Sequence, residues 1–171
     1  MSDFIKRSDI ESRAKEVLQR HGLFSIPIDP VLLANREGIK VHNAKFSDES
    51  LSGMIAKRGE ARTLLVNQGE PPFRKRFTIA HELGHHFLHL AQDGEFVDNA
   101  VDLFRETGLE TESDPKKREE VQANIFAASL LMPEELVLQQ FALHPQLRDL
   151  ARIFNVSEMA MGIRLARLGL G

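Results

Sequence analysis

Phe77-Thr78-Ile79-Ala80-His81-Glu82-Leu83-Gly84-His85-His86-Phe87-Leu88-His89 holds a complete His-Glu-x-x-His, and the rest of the chain is read as its support. On an α-helix, residues four apart lie on one face about a turn from each other, so His81 and His85 can each aim one imidazole nitrogen at a single ion. That pairing suits zinc, one ion per chain. Glu82 stands about 100° round the helix from His81. It lies beside the ligand face, where a carboxylate reaches a water next to the metal and serves as general base. Ile79, Leu83, Phe87 and Leu90 fall at i, i+4, i+8 and i+11 and form an apolar stripe roughly opposite the histidines. One face is core and the other is chemistry. His86 and His89 are given no place at the metal, because no glutamate stands between His85 and His89 as it does in the first pair, and the dipole at a helix C-terminus favours histidine by itself.

Composition narrows the function classes. A chain of 171 residues closes one core comfortably, so a single domain over residues 1–171 is expected. The net charge of −3 provides no basic field for phosphate backbones, and nucleic acid is not the default partner. With no cysteine, disulfides, thiolate nucleophiles and thiolate zinc sites are excluded, which leaves histidine and carboxylate as the strong ligands. Met1-Ser2-Asp3-Phe4-Ile5-Lys6-Arg7 has no apolar centre for secretion, and no run approaches ~18 apolar residues, so a cytoplasmic location without a membrane partner is expected. The chain also lacks tyrosine, so no phenol can steady an oxyanion. Histidine, arginine or backbone must do so, and His42, His144 and Arg118 are the unranked side-chain candidates.

Upstream of the motif, Asn67-Gln68-Gly69-Glu70-Pro71-Pro72 is a loop whose prolines deliver the chain into the first turn of a helix over 72–91. Arg74, Lys75 and Arg76 oppose the dipole there and read as a solvated face. Three segments rich in Val, Ile, Leu and Thr, Ile39 to Phe46, Leu51 to Lys57 and Ala61 to Asn67, predict a small, mostly antiparallel three-stranded sheet over 39–67. Before it, residues 1–38 carry two helices: one over 8–21 with Ile10, Ala14, Val17 and Leu18 on one face, and one opened by Asp29-Pro30 and stopped by Gly38. The fold class is α+β.

Downstream, residues 92–114 lose periodicity and are dominated by acids, which reads as an acidic loop. Asp114-Pro115 opens a helix over 115–132. Ala123, Ala127 and Ala128 let that helix approach a neighbour closely, so a carboxylate on it can complete the metal site. Glu120 is the third-ligand candidate, with Glu119 as the alternative, and Asn124 one turn on can hold a ligating imidazole by its second nitrogen. Residues 133–171 form further helices, and Asn155-Val156-Ser157 joins the last two in a pattern like a helix-turn-helix. Its second helix offers only Arg164 and Arg167, with Glu158 where phosphates would be met. A packing hairpin is expected, and direct DNA binding is not.

Arg76-Phe77-Thr78-Ile79-Ala80-His81-Glu82-Leu83-Gly84-His85, followed by Glu120-Val121-Gln122-Ala123-Asn124-Ile125-Phe126-Ala127-Ala128 and Leu130-Leu131-Met132-Pro133, resembles the ImmA/IrrE family of zinc metallopeptidases. The resemblance covers most of the chain from about Leu51. It implies a compact zincin-like domain, a small sheet beside an active-site helix with further helices behind. It also implies ligands at His81, His85 and Glu120 and a base at Glu82. The family's longer pattern often has a second acid two residues before the asparagine. This chain has Gln122 there, which favours Glu120 as the ligand. Family members include regulatory proteases that cleave a helix-turn-helix repressor, so the resemblance implies such a repressor, as a separate protein, for partner and substrate. The alternative is a zincin scaffold that binds a repressor or an antitoxin-like partner, or sequesters zinc, without turnover.

Overall fold

The computed structural model describes residues 5–90, 94–99 and 112–171. Helix α1, Arg7–Arg20, buries Ile10, Ala14, Val17 and Leu18, the stripe its sequence carries. It ends at Gly22, whose φ of 65° is open to glycine without strain. Helix α2, Pro30–Arg36, starts where the Asp29 carboxylate accepts from the amides of Val31 and Leu32, with proline in the first turn. Strands β1 (Ile39–Ala44), β2 (Leu51–Arg58) and β3 (Ala61–Asn67) follow. Ile39, Ile55, Leu64 and Val66 face the core.

The sheet departs from the sequence reading in two ways. Its order is β1-β3-β2-β4, with a fourth strand, β4 (Gly94–Asn99), lying in the stretch read as acidic loop. Residues 92, 93 and 100–111 of that loop lie outside the described residues. Strands β2 and β3 form an antiparallel hairpin and β4 pairs antiparallel with β2, so the sheet is mostly antiparallel as expected. Strand β1 instead crosses to the far side of β3 and runs parallel to it. The α+β class stands, with a sheet one strand wider.

Helix α3, Pro72–Leu88, buries every residue from Phe77 to His85. Its first turn is basic, and those side chains are tethered instead of solvated. Arg74 pairs with Glu70 at 3.2 Å, and the Lys75 ammonium donates to Asn43 at 3.3 Å. Arg76 donates to the carbonyls of Asn155 at 3.0 Å and Ile28 at 2.6 Å, which fixes the start of the helix to two distant segments. Helix α4, Pro115–Leu131, is capped by the Asp114 carboxylate, which accepts from the Lys116 amide at 3.0 Å. It buries all residues from Val121 to Leu131. A helix surrounded on all sides has no polar face, which explains why its sequence shows no single stripe. Helices α5 (Glu134–Leu143), α6 (Leu147–Phe154) and α7 (Glu158–Arg167) complete the fold. Among the described residues no single helix is long and apolar enough to cross a membrane.

Candidate metal centre

Helix α3 presents His81, Glu82 and His85, all with no exposed surface. Helix α4 lies against it, and the contact is made backbone to backbone at Gly84. A Cβ at that position would sit 3.0 Å from both the Cα and the carbonyl oxygen of Ala123 and 3.3 Å from its Cβ. The glycine between the two histidines therefore sets how near α4 comes, and Ala123 supplies the matching small surface. Gly84→Ala is expected to push the helices apart by a few tenths of an ångström. Metal affinity should fall about tenfold, for roughly 1.4 kcal/mol of misfit. Competition against a chelator checks this, and an unchanged dissociation constant would mean that the interface yields without moving the ligands.

At this separation Glu120 reaches the histidines. Its two carboxylate oxygens lie 3.2 Å from His81 Nε2 and 3.3 Å from His85 Nε2, and the two Nε2 atoms are 3.0 Å apart. Ligands about 2.0–2.1 Å from a tetrahedral zinc are separated by roughly 3.3 Å, so this triangle has the size of three corners around one ion. Its donor chemistry agrees. Burial, with smaller contributions from the neighbouring His81 and His89, pushes the His85 pKa down to about 4 against the pull of Glu120. Burial alone would raise the pKa of Glu120, but hydrogen bonds to His81 and His85 and their charges hold it well below the usual carboxylate range. A neutral imidazole beside an ionised carboxylate is the protonation state that a divalent cation takes. Glu120 is partly exposed, so the triangle opens to solvent on its side.

Strand β2 closes the other flank. Gly53 faces Glu82 so closely that a Cβ there would stand 3.0 Å from Glu82 Oε1 and 2.5 Å from Thr78 Cγ2. The Glu82 carboxylate is thus held between α3 and a strand with no side chain at that point. On α4, Asn124 Oδ1 lies 2.7 Å from His81 Nδ1, leaving Nε2 of that ring toward the triangle.

Other sequence candidates lie elsewhere. Glu119 is outside the triangle, which comprises His81, His85 and Glu120. His42 is exposed on β1, two strands from β2, and His144 is exposed at the end of α5. The Arg118 guanidinium donates to the Glu112 carbonyl at 2.7 and 3.2 Å. Neither His42 nor His144 belongs to the triangle. His86 points to α2, with its Nε2 3.5 Å from Glu37. His89, in contrast, adjoins the site: its Nδ1 is 3.2 Å from His85 Nδ1, and its Nε2 is 2.7 Å from Gln122 Oε1. The series 81, 85, 89 repeats every four residues, and this spacing was the signal available in the sequence.

Residues 34–166 match the family model described as the IrrE N-terminal-like domain, peptidase M78. Over 112 residues the chain is 31% identical to the radiation response metalloprotease IrrE of Deinococcus radiodurans, covering 64% of this chain and 31% of that protein. It is 38% identical over 79 residues to IrrE of Deinococcus deserti, covering 46% and 25%. With metallopeptidase ImmA of Bacillus subtilis it shares 24% identity over 136 residues, 76% of this chain and 72% of that one. The matched part thus spans a third or less of the two Deinococcus proteins. A solved structure, a Mycobacterium tuberculosis transcriptional regulator, superposes with a TM-score of 0.63 at 20% identity, covering 92% of this chain and 47% of that one, which is likeness of fold.

Proposed function

Since this chain belongs to the peptidase M78 metallopeptidase family, with its IrrE N-terminal-like domain, we propose that it is a zinc-dependent endopeptidase of regulatory type that cleaves a separate helix-turn-helix repressor. The observation that carries the reading is the triangle of His81, His85 and Glu120 with the buried Glu82 carboxylate beside it. Two imidazoles and one carboxylate are a donor set suited to catalytic zinc, in contrast to the all-oxygen cages of magnesium or calcium. When bound, the ion would lower the pKa of water and polarise a peptide carbonyl.

The remaining steps fall to the protein. Glu82 takes the proton of the attacking water on a carboxylate oxygen and returns it to the departing amine. Asn124 orients His81 through its second nitrogen. The partner is a protein and not DNA. Of the two arginines on α7, Arg164 is 2% exposed and donates to the Met132 carbonyl at 3.0 Å while pairing with Glu11 at 3.2 Å. Arg167 shares α7 with Glu158 at the opposite end of the helix, so this helix carries little net positive charge to offer a duplex.

Incubation with separately purified repressors should yield discrete fragments from one of them. Fragment formation should stop on chelation and return with zinc. Stable, chelator-insensitive binding of a repressor that is never cut would instead favour the zincin scaffold acting as a non-catalytic interaction module.

A further inference from the structure

His89 and Gln122 extend from the metal centre into the core. Gln122 is fully buried. Its Oε1 meets His89 Nε2 at 2.7 Å, and its amide nitrogen finds no partner among the described residues. A carboxamide buried for a single contact is costly unless that contact matters. His89 caps α3, its amide donating to the His85 carbonyl at 2.9 Å, and its ring lies 5.3 Å from that of His85, centroid to centroid. The ring is therefore fixed by both backbone and side chain.

We propose that His89 and Gln122 form a positioning relay that keeps the proton of His85 on Nδ1, leaving Nε2 bare for the metal. The inference rests on the reading of His85 as a ligand. A neutral imidazole carries one N–H, and a ring that gives its Nε2 lone pair to a metal must carry the hydrogen on Nδ1. In this buried site that hydrogen faces His89 Nδ1 at 3.2 Å, which accepts only if His89 carries its own hydrogen on Nε2. That second hydrogen faces Gln122 Oε1, a carbonyl oxygen with nothing to donate. The terminal oxygen thus dictates the order of all three groups. The reverse order would set two lone pairs against each other 2.7 Å apart and put a hydrogen on the metal-facing nitrogen of His85. His81 is served more simply, its Nδ1 meeting Asn124 Oδ1 directly. Helix α4 therefore contributes one carboxamide for each histidine, at 122 through a second ring and at 124 without one.

The test is metal affinity of the full chain, measured with zinc against a chromogenic chelator and by the visible spectrum of the cobalt form. His89→Phe keeps ring volume but removes the acceptor, and should weaken binding about 10- to 100-fold, the range for loss of an orienting partner. It should also alter the cobalt spectrum while leaving the melting point of metal-free protein near that of the parent. His89→Asn sets an amide oxygen near the former Nδ1 position and should recover affinity to within about threefold of the parent. Gln122→Met should weaken binding in the same direction and decides the matter if His89→Phe does not fold. Parent-like affinity in His89→Phe or, where that variant does not fold, in Gln122→Met would overturn the relay. So would His89→Asn as weak as His89→Phe, which would make the effect one of packing. His85→Ala separates the two levels: if it keeps parental affinity, the metal-site reading fails, and if it alone loses metal, only the relay fails.

Discussion

Glu82→Gln is expected to lose peptide cleavage by about 10²- to 10⁴-fold, the usual worth of a general base, while the protein keeps its fold and its metal. The substitution preserves shape and removes only the basic oxygen. Glu82 has no exposed surface and fits beside Gly53, so a larger or differently shaped residue would confound chemistry with packing, whereas glutamine is nearly isosteric. It is not one of the triangle residues, so metal stoichiometry should stay at the parental value. A repressor that the parent cuts should remain bound and intact, making the variant a substrate trap. Fragment yield on a gel, metal content and circular dichroism are the three measurements. Cleavage at the parental rate would remove Glu82 from the role of base.

Helix α3 was legible because its information is local. A spacing of four residues fixes a shared face whatever packs around it, and Ile79 and Leu83 lie buried as that face requires. What escaped the sequence depends on distant partners. The parallel pairing of β1 with β3 follows from where β1 crosses, and nothing in Ile39 to Ala44 encodes it. Gly94-Glu95-Phe96-Val97-Asp98-Asn99 carries acids that blur the strand pattern, but an edge strand tolerates charge. Arg164 reads as a surface arginine on α7 until the fold brings Glu11 from the other end of the chain beside it. His89 lay within reach of the sequence, one turn on from His85, but its contact with Gln122 depends on how α4 packs and could not be read there. Glu120 became a candidate through the alanines that allow a close helix pair, and the geometry at Gly84 shows how close that pair is.

Glu120→Ala should have the largest effect on the metal itself. Structural zinc sites with four ligands have apparent binding energies of about 10–16 kcal/mol, so one ligand accounts for roughly 2.5–4 kcal/mol. At about 1.4 kcal/mol per decade, removing the carboxylate should weaken binding by some two to three decades. Electrostatics act in the same direction, because Glu120 is the only anion in the triangle and its ionised state is held there by both histidines. Glu119→Ala, one residue away and outside the triangle, should bind metal as the parent does, so the pair of variants separates the two acids that the sequence left open. A ligand that binds only the folded state raises the melting temperature, so zinc should stabilise the parent and Glu119→Ala to heat. The same zinc concentration should leave Glu120→Ala almost where it melts without metal. Equal zinc-induced shifts in all three proteins would place the third ligand on another residue.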